Sequence, residues 1–354
     1  MSIINANAPK RDKLLSNLPI HQEMKEIIYY GTLAPSSHNA QMWKVKVISD
    51  NEIMVMIDKD NVLPALDPTN RESFIAIGGF IENIAQAAPK YKLIAKIDIL
   101  SKNYNDIDAV RIRFEKLSNS ENSDKKTYNI ENRLSINDAY LNKKLNQKDV
   151  DSLISEIEEE NGYYFDVNSA NGQYIQQNLI AANKKQASDK KKQEELASYM
   201  RLSNLEANTN KDGITAEMIG LTGLKKWLYY TFTTKKSITS DSFIKLTVNK
   251  VKSQVNNCSG FFIVTSTDNS PEGLINGGRN MERLWLKGIE LKVALHPMCQ
   301  IIEEKPWKED INRKLNIDRP IQMIMRTGYV KKYGDPVSLR RSIDDIVILD
   351  SNYK

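Results

Sequence analysis

Cysteine and histidine are scarce in this sequence. Its 354 residues include two cysteines, Cys258 and Cys299, and three histidines. Two distant cysteines cannot build a disulfide framework and lack metal-ligand spacing, so a reducing compartment is the simpler interpretation. Three histidines without a Gly-x-Ser-x-Gly elbow do not support a Ser-His-Asp hydrolase. The sequence therefore gives no sign of a metal centre or of this type of hydrolase.

Long apolar runs and glycine-rich nucleotide motifs are also missing. No stretch approaches the roughly 20 apolar residues of a membrane span, and no apolar segment follows Lys10 and Arg11 as it would in a signal peptide. Neither a Gly-x-Gly-x-x-Gly fingerprint nor a Walker loop occurs, which argues against a Rossmann dinucleotide site. We therefore expect a cytoplasmic protein that does not bind membranes.

The overall charge is only mildly basic, with a formal net charge of +5 on 354 residues. The one basic cluster, within residues 184–192, is interrupted, and we interpret it as the solvated face of a helix. No basic block is long and aromatic-rich enough to predict a nucleic-acid partner. The hydrophobic fraction of 40% and the chain length instead predict a globular protein with a large core.

The most informative segment runs from Ala34 to Trp43 and reads Ala-Pro-Ser-Ser-His-Asn-Ala-Gln-Met-Trp. It follows a predicted amphipathic helix and precedes a predicted strand. Pro35 lacks the N–H that would continue the helix. The hydroxyl, imidazole and amide side chains that follow can hydrogen-bond a neutral ligand without adding formal charge. The same residues would also suit an ordinary helix-ending turn.

The order of residues in this segment resembles the flavin-contacting loop of the nitroreductase family. Members of that family usually carry Ala-Pro-Ser-x-x-Asn-x-Gln-Pro-Trp there. Met42 stands where the family commonly has proline, which removes a rigid turn residue but no hydrogen-bond donor. The resemblance implies that Pro35, Ser36, Ser37 and Asn39 contact the flavin.

Two further segments resemble the family's phosphate site. Residues 132–137 resemble its Arg-x-Ser-x-Arg segment, because Arg133 and Ser135 keep a guanidinium fork and a hydroxyl. Asn137 replaces the usual second basic residue. Residues 338–341, Ser-Leu-Arg-Arg, resemble the C-terminal basic pair, although alone they equally suit a solvated turn. The resemblance implies an anion clamp that includes Arg340 and Arg341.

A fourth segment, residues 295–299, resembles the loop whose backbone N–H faces flavin N5 in the family. A donor there matters because hydrogen bonds around the ring tune its electronics. Met298 and Cys299 are the candidates for the backbone donor, and Pro297 belongs to the same loop. His296 is either a side-chain contact or a buried structural histidine. Arg71 either reaches the flavin or a substrate, or forms an ion pair with Asp67.

Periodicity and turn residues predict an alternation of helices and strands. The expected helices cover 20–33, 71–88, 150–160, 172–183, 243–255 and 274–288, and the expected strands cover 44–48, 53–57, 92–99, 109–117, 163–167, 261–265, 292–295 and 321–329. Residues 1–19 form an arm, residues 119–126 a polar linker, and residues 184–240 a charged, partly helical insert. We expect a first half over 20–125 and a second over 126–354.

The two halves share a weak repeat. Gly78-x-x-x-Glu82 has a counterpart 200 positions later in Gly278-x-x-x-Glu282, and each lies in a helix that leads into a strand. Nitroreductases are usually homodimers with flavin in the subunit interface. A repeat within one chain would therefore form a fused pseudo-dimer, and the absence of an Arg-x-Ser segment before the first half's helix predicts that one phosphate site is lost.

The resemblance covers residues 20–346, and among the branches of the family the chain resembles the single-chain, Acg-like members. It implies an α+β fold, a nitroreductase-like three-layer αβα sandwich present twice. The predicted cofactor-binding residues are Pro35, Ser36, Ser37, Asn39, Arg71, Arg133, Ser135, His296, Pro297, Met298, Cys299, Arg340 and Arg341. FMN carries the chemistry, so no catalytic side chain is assigned.

The sequence does not distinguish among three functions. The first is transfer of hydride from NAD(P)H through FMN to a nitroaromatic, a quinone or a similar small-molecule acceptor. The second is a flavin-binding protein with little turnover, in which residues 184–240 cover the flavin as a lid and Trp227, Tyr229 and Tyr230 exclude the nicotinamide. The third is oxidative modification of a peptide or metabolite. We expect a monomeric pseudo-dimer or a homo-oligomer.

Overall fold

The structure, a computed structural model, describes residues 16–118, 124–158 and 161–353 and has a mixed α+β fold. Its helices are α1 (Gln22–Thr32), α2 (Arg71–Ala87), α3 (Asp124–Asn132), α4 (Gln147–Ile154), α5 (Ala170–Ala187), α6 (Lys190–Tyr199), α7 (Asn204–Asn210), α8 (Gly223–Phe232), α9 (Lys235–Ile238), α10 (Asp241–Asn256), α11 (Pro271–Leu291), α12 (Gln300–Glu303), α13 (Trp307–Leu315) and α14 (Ile343–Ile346). Its strands are β1 (Trp43–Ser49), β2 (Glu52–Ile57), β3 (Leu93–Ile99), β4 (Asp108–Lys116), β5 (Gly162–Asp166), β6 (Gly260–Thr265), β7 (Val293–Pro297), β8 (Ile321–Tyr329) and β9 (Val347–Leu349).

The first sheet has the strand order β3-β4-β2-β1-β9 and the second has the order β7-β8-β6-β5. When the strands are numbered within each half, both sheets have the order third, fourth, second, first. The first sheet has β9 as an additional edge strand beside β1. Every neighbouring pair is antiparallel except β1 with β9, which is parallel. The long helices α2 and α11 occupy the same place in each half, between the second and third strands in chain order. The first two strands are joined by a tight turn in the first half but by residues 167–259 in the second.

The second sheet separates two apolar cores, because its side chains alternate between the two faces. On β6, Phe262 and Val264 join the large core that α2 and α11 share. Phe261 and Ile263 join a second core with α5 and α10. Helices therefore cover both faces of this sheet, which accounts for the complete burial of β6 and β8.

The first sheet is built differently from the expected sandwich. Helix α2 packs on one face, while partly or fully exposed charged side chains such as Lys46, Lys96 and Arg113 alternate along its strands. Within the described residues, helices thus cover this sheet on one face, and the three-layer prediction fits the second half only. Period-2 alternation in β1 and β3, compared with continuous apolar β6, carries this difference in the sequence.

Two boundaries also differ from the expectation. Helix α3 begins at Asp124, so the predicted linker over 119–126 is helical at its end, and the expected domain boundary at 125 lies inside a helix. Residues 1–15 of the predicted arm lie outside the described residues. In the part of the chain that the structure describes, no helix is long and apolar enough to cross a bilayer.

Candidate functional site

The loop between α1 and β1 has an unusual backbone. His38, Asn39 and Gln41 have φ values of 54°, 53° and 57°, in the left-handed region that non-glycine residues seldom adopt. Each such residue costs about 1 to 3 kcal/mol, so the conformation persists only where interactions with the surrounding structure offset this cost. Three of the four residues from His38 to Gln41 have this backbone conformation, so contacts with the rest of the protein must hold the loop in its shape.

Side-chain amides of the loop bind distant backbone groups and so impose that shape. The Asn39 amide nitrogen donates to the carbonyls of Gly213 (3.2 Å) and Leu339 (3.1 Å). The Gln41 amide nitrogen donates to the Lys211 carbonyl (2.9 Å), and its oxygen accepts from the backbone N–H of Arg341 (2.9 Å). Residues 211–213 of the insert and residues 339–341 of the C-terminal segment therefore hold the loop in place through hydrogen bonds.

A cavity of about 360 Å³ lies against this loop. Eight residues predicted to bind the cofactor line it: Pro35, Ser36, Ser37, Asn39, Ser135, His296, Pro297 and Cys299. Four of them come from the loop in the first half, and four come from separate segments of the second. The volume lies within the range of small-molecule and cofactor sites. A pocket between the two halves is thus formed by segments far apart in sequence.

A smaller cavity of about 90 Å³ adjoins the first and shares Pro35, Ser36, Asn39 and Ser135 with it. Arg133 and Arg340 add two guanidinium groups to its wall. Both arginines are buried. This end of the site therefore favours an anionic group over a neutral one.

The Arg133 side chain makes three contacts: a hydrogen bond, an ion pair and a cation–π contact. It donates to the Leu33 carbonyl (2.6 Å), its Nε lies 3.2 Å from a carboxylate oxygen of Glu282, and its guanidinium carbon lies 4.7 Å from the Trp285 ring centroid. Burial raises the pKa of Glu282 to about 7, although the Arg133 charge opposes that rise. The arginine consequently has a partner that is protonated in part of the population near neutral pH.

Arg340 does not act as the predicted direct phosphate ligand. Its five N–H groups already donate, over 2.6 to 3.2 Å, to the carbonyls of Thr32, Leu33, Ala34 and Leu339 and to the Asn39 side-chain oxygen. Three of these carbonyls belong to the C-terminal end of α1, where a cation is favoured by the helix dipole. Arg340 therefore fixes the loop and lends only its charge to the small cavity.

Arg341 and Arg71 also bind elsewhere. Arg341 forms an ion pair with buried Asp58 (3.0 Å), on the β1 side of the loop. Arg71 pairs with Glu72, not with Asp67 as the sequence suggested, and it donates to the Gln322 carbonyl. Neither arginine lines either cavity. The predictions that they contact the cofactor are therefore not supported by the geometry.

Met298 is the third predicted residue, after Arg71 and Arg341, that lines neither cavity. Its side chain is buried in the second core, and its backbone N–H donates to the Ile324 carbonyl (2.8 Å). Because that N–H is already paired, the geometry does not support Met298 as the backbone donor. Cys299 does line the cavity, where burial raises the pKa of its thiol far above the ordinary range. The thiol therefore stays protonated.

The contacts of His296 determine which of its two ring nitrogens carries the proton. Its Nδ1 accepts from Nε of Arg326 at 3.0 Å, so the ring proton of the neutral imidazole lies on Nε2. Burial, together with the charges of Arg326 and Lys250, lowers the pKa of His296 well below its usual value. A neutral histidine with Nε2–H available on a cavity wall can donate to a ligand without adding charge.

Glu72 and Glu303 also line the cavity, and the sequence analysis did not predict either carboxyl group as part of the site. The Ser37 hydroxyl donates to Glu72 (2.8 Å), and the Gln186 amide donates to Glu303 (2.6 Å). Burial and the neighbouring Glu72 raise the pKa of Glu303 to about 7. Glu303 lies one helical turn beyond Cys299, and this spacing from a predicted site residue could have signalled it.

The insert forms part of the wall, though not through the residues expected. Ile214, Met218 and Ile219 line the large cavity, whereas Trp227, Tyr229 and Tyr230 do not. The Asn137 amide donates to the Met218 carbonyl (2.9 Å) and ties the insert to the segment that carries Ser135. The covering surface is therefore aliphatic, and the predicted aromatic lid is not formed by those three residues.

The pocket combines an apolar wall with neutral donors, two carboxyl groups at one side and cationic charge at the other. Ile75, Ala76, Met281 and Trp285 supply the apolar surface from α2 and α11. Across the described ranges no cluster of three or more histidine, cysteine or acidic residues could hold a metal ion. The arrangement suits a flat organic group with an anionic tail.

The chain matches no family model and no curated protein. Among solved structures it is similar to the FMN-dependent nitroreductase NfnB from Mycobacterium smegmatis in complex with NADPH, at 10% identity and a TM-score of 0.38, over 65% of this chain and 100% of that one. It is also similar to the FMN and NADPH-dependent nitroreductase NfnB from sphigopyxis sp. strain HMH, at 11% identity and a TM-score of 0.38, over 64% of this chain and 98% of that one. Both TM-scores are below 0.5, too low to establish a common fold.

Proposed function

We propose that the chain binds one FMN between its two halves and transfers hydride from NAD(P)H to a small acceptor such as a quinone or a nitroaromatic. The observation that carries this proposal is the convergence of the 34–43 loop, of Ser135, and of His296, Pro297 and Cys299 on one cavity. Each of these segments resembles a flavin-contacting segment of the nitroreductase family, and they are far apart in the sequence. Chance would not be expected to gather them at a single pocket.

The residues present fit FMN in two respects. The apolar surface of Met281 and Trp285 beside the Nε2–H donor of His296 suits a heteroaromatic ring system. Asn39 shapes the wall and donates nothing to the ring, because its amide N–H bonds already go to the carbonyls of Gly213 and Leu339. The adjoining small cavity offers the guanidinium of Arg133 and the hydroxyl of Ser135 to a phosphate. Arg340 would contribute long-range charge only, because its donors are already engaged. We assign Arg71, Met298 and Arg341 no contact with the cofactor.

When bound, FMN supplies a two-electron carrier between nicotinamide and acceptor. The residues of the chain would orient the bound ring and supply a proton to the acceptor. His296 can donate from Nε2 to an oxygen or nitrogen of a bound ring. Glu303, with its pKa raised to about 7, holds a proton at its carboxyl in part of the population at neutral pH. That proton can pass to the acceptor oxygen as hydride reaches the acceptor, and solvent then restores it.

We also propose that the two halves descend from one unit and form a fused pseudo-dimer of the single-chain branch. The shared strand order of the two sheets and the matching positions of α2 and α11 support this proposal. The β5–β6 connection would then have gained the segment 167–259. The proposed site lies where the subunit interface of a dimer would lie.

The visible spectrum of the purified protein, recorded anaerobically before and after NADPH or NADH is added, tests the proposal. We expect a flavin band that bleaches on reduction. A protein that is purified without flavin and acquires no visible band when FMN is added would contradict it. Bleaching by one nicotinamide and not the other would also define the donor.

A second candidate function is a flavin protein with little turnover. It is favoured by the position of Ile214, Met218 and Ile219 on the cavity wall and by the bonds that hold the insert to Asn39 and Gln41. In that case the flavin band would persist after nicotinamide is added. The same spectrum therefore distinguishes the two functions.

A further inference from the structure

Helix α8 is oriented opposite to an ordinary surface helix. Leu224, Trp227, Leu228 and Phe232 are 70%, 41%, 40% and 72% exposed, and no residue of the helix is buried. Their spacing of three and four residues places them on one face. A surface helix normally turns such a face toward the core, so this apolar stripe needs another partner.

The opposite face of α8 is the one that contacts the protein. Tyr229 packs against the small apolar cluster of Ala197, Met200 and Ile238. Lys226 forms an ion pair with Glu217 and lies over the Tyr230 ring, 5.3 Å from its centroid. The polar-tipped residues thus attach the helix to the rest of the insert, and this attachment fixes the apolar stripe toward solvent.

Lysines flank the stripe at both ends. The sequence from 223 to 236 reads Gly-Leu-Lys-Lys-Trp-Leu-Tyr-Tyr-Thr-Phe-Thr-Thr-Lys-Lys, and Lys225 and Lys236 are exposed. Trp, Phe and Leu on one face with lysines beside them are the features of a helix that lies in a membrane interface. Trp and Tyr also favour the headgroup level.

We propose that α8 docks the protein on an anionic phospholipid surface, with Leu224, Trp227, Leu228 and Phe232 inserted among the lipids and Lys225 and Lys236 against the headgroups. This is peripheral binding by a helix of ten residues, about 15 Å long, and not a membrane span. It differs from the sequence-based expectation that the protein does not bind membranes. It does not depend on the flavin proposal.

Charge complementarity favours lipid over a second copy of the chain. In a two-fold contact between two α8 helices the same patch meets itself. Antiparallel pairing would bring Lys225 of one copy toward Lys236 of the other, and these like charges repel. An anionic surface instead attracts each lysine by about 1 kcal/mol, equivalent to roughly fivefold in affinity.

Vesicle flotation of the full-length protein tests the proposal, with phosphatidylcholine vesicles compared with vesicles that also contain phosphatidylglycerol. We expect flotation with the anionic vesicles and a blue shift of tryptophan fluorescence. Of the four tryptophans, Trp43 and Trp285 are buried, Trp307 is partly buried with its ring N–H donated to Asn178, and Trp227 is exposed. The double variant Leu224→Ser, Phe232→Ser should weaken binding tenfold or more, roughly. The double variant Lys225→Glu, Lys236→Glu should weaken it by at least twenty-fold, approximately.

Leu141→Ser is the matched control, because Leu141 is an exposed leucine (45%) outside the insert, and it should float like the native protein. Trp227→Phe should still bind but lose the fluorescence shift. No flotation with anionic vesicles, or equal flotation of the native protein and the Leu224→Ser, Phe232→Ser variant, would overturn the proposal. A dimer that is lost in that variant, without vesicle binding, would assign the face to a second copy instead.

Discussion

Gly78 on α2 and Gly278 on α11 lie against each other where the two long helices cross. A Cβ on Gly78 would lie 2.1 Å from the carbonyl oxygen of Ile275, and a Cβ on Gly278 would lie 2.1 Å from that of Ile75. The two contacts are reciprocal, because Gly78 and Gly278 are 200 positions apart and so are Ile75 and Ile275. This reciprocity supports the proposed pseudo-dimer.

This crossing makes a stability prediction with an adjacent control. Gly78→Ala should lower the free energy of unfolding by about 3 kcal/mol, because the added methyl group meets backbone that cannot move without separating the helices. Gly79→Ala should change it by less than about 1 kcal/mol, because its nearest contact is 3.4 Å away and alanine favours helix. Urea denaturation measures both. Equal stability of the two variants would show that the helices are not closely packed here.

The sequence predicted the framework of this fold well, for physical reasons. Helix α1 and strands β1 and β2 follow from local periodicity and from Pro35, and the observed bounds differ from the expected ones by two residues or fewer. The period-2 alternation of β1 and β3, compared with the continuously apolar β6, indicates that only the second sheet is covered on both faces. The expectation of a three-layer sandwich in both halves rested on the family resemblance and did not use this difference.

The sequence brings the right segments to one cavity but does not tell which of their atoms can reach a ligand. Ser36 and Asn39 line the cavity, and their contact with a flavin stays a prediction, whereas Met298 does not line it and its N–H pairs with the Ile324 carbonyl. Arg340 and Arg341 are adjacent, and nothing local shows that the first caps α1 while the second binds Asp58. Which donors remain available is set by tertiary contacts, and this information is absent from a motif.

Ser135 provides a test of the phosphate end of the site. Ser135→Ala should weaken FMN binding about tenfold to a hundredfold, the value of a hydrogen bond to a charged group. Binding of riboflavin, which has the same ring system without the phosphate, should be unchanged. Fluorescence titration of the apoprotein measures both affinities.

Ser155→Ala is a suitable control for this measurement, because Ser155 is exposed near the end of α4 and lines neither cavity. It should bind both flavins like the native protein. Equal weakening of FMN and riboflavin by Ser135→Ala would place the ring, and not the phosphate, beside this hydroxyl.

Glu303 gives the proposed reductase a pH dependence. The protonated carboxyl is the active form, and its pKa is raised to about 7, so acceptor reduction should slow as pH rises through about 7. Glu303→Gln should lower the rate of flavin reoxidation by p-benzoquinone about a hundredfold at neutral pH and remove this decline. Reduction of the flavin by NADPH should be unaffected. Stopped-flow absorbance resolves the two half-reactions.

The control for Glu303 is Glu309→Gln on α13, an exposed glutamate that pairs with Lys305 and does not line the cavity. It should retain both rates and the native pH profile. If Glu303→Gln slowed both half-reactions equally, a general disturbance of the cavity would explain the effect, and the carboxyl would not be the proton source.

The insert should restrict which acceptors reach the site. Met218 and Ile219 line the large cavity from the insert, so Met218→Ala and Ile219→Ala should widen the entrance without removing any donor. We expect kcat/KM for a bulky naphthoquinone to rise about tenfold, and kcat/KM for p-benzoquinone to change little, because only the larger ring contacts these side chains. Leu205→Ala, an exposed position (78%) in the same insert, should alter neither. A parallel rise for both quinones would point to release of product or of the whole insert, since a steric limit at Met218 and Ile219 must depend on acceptor size.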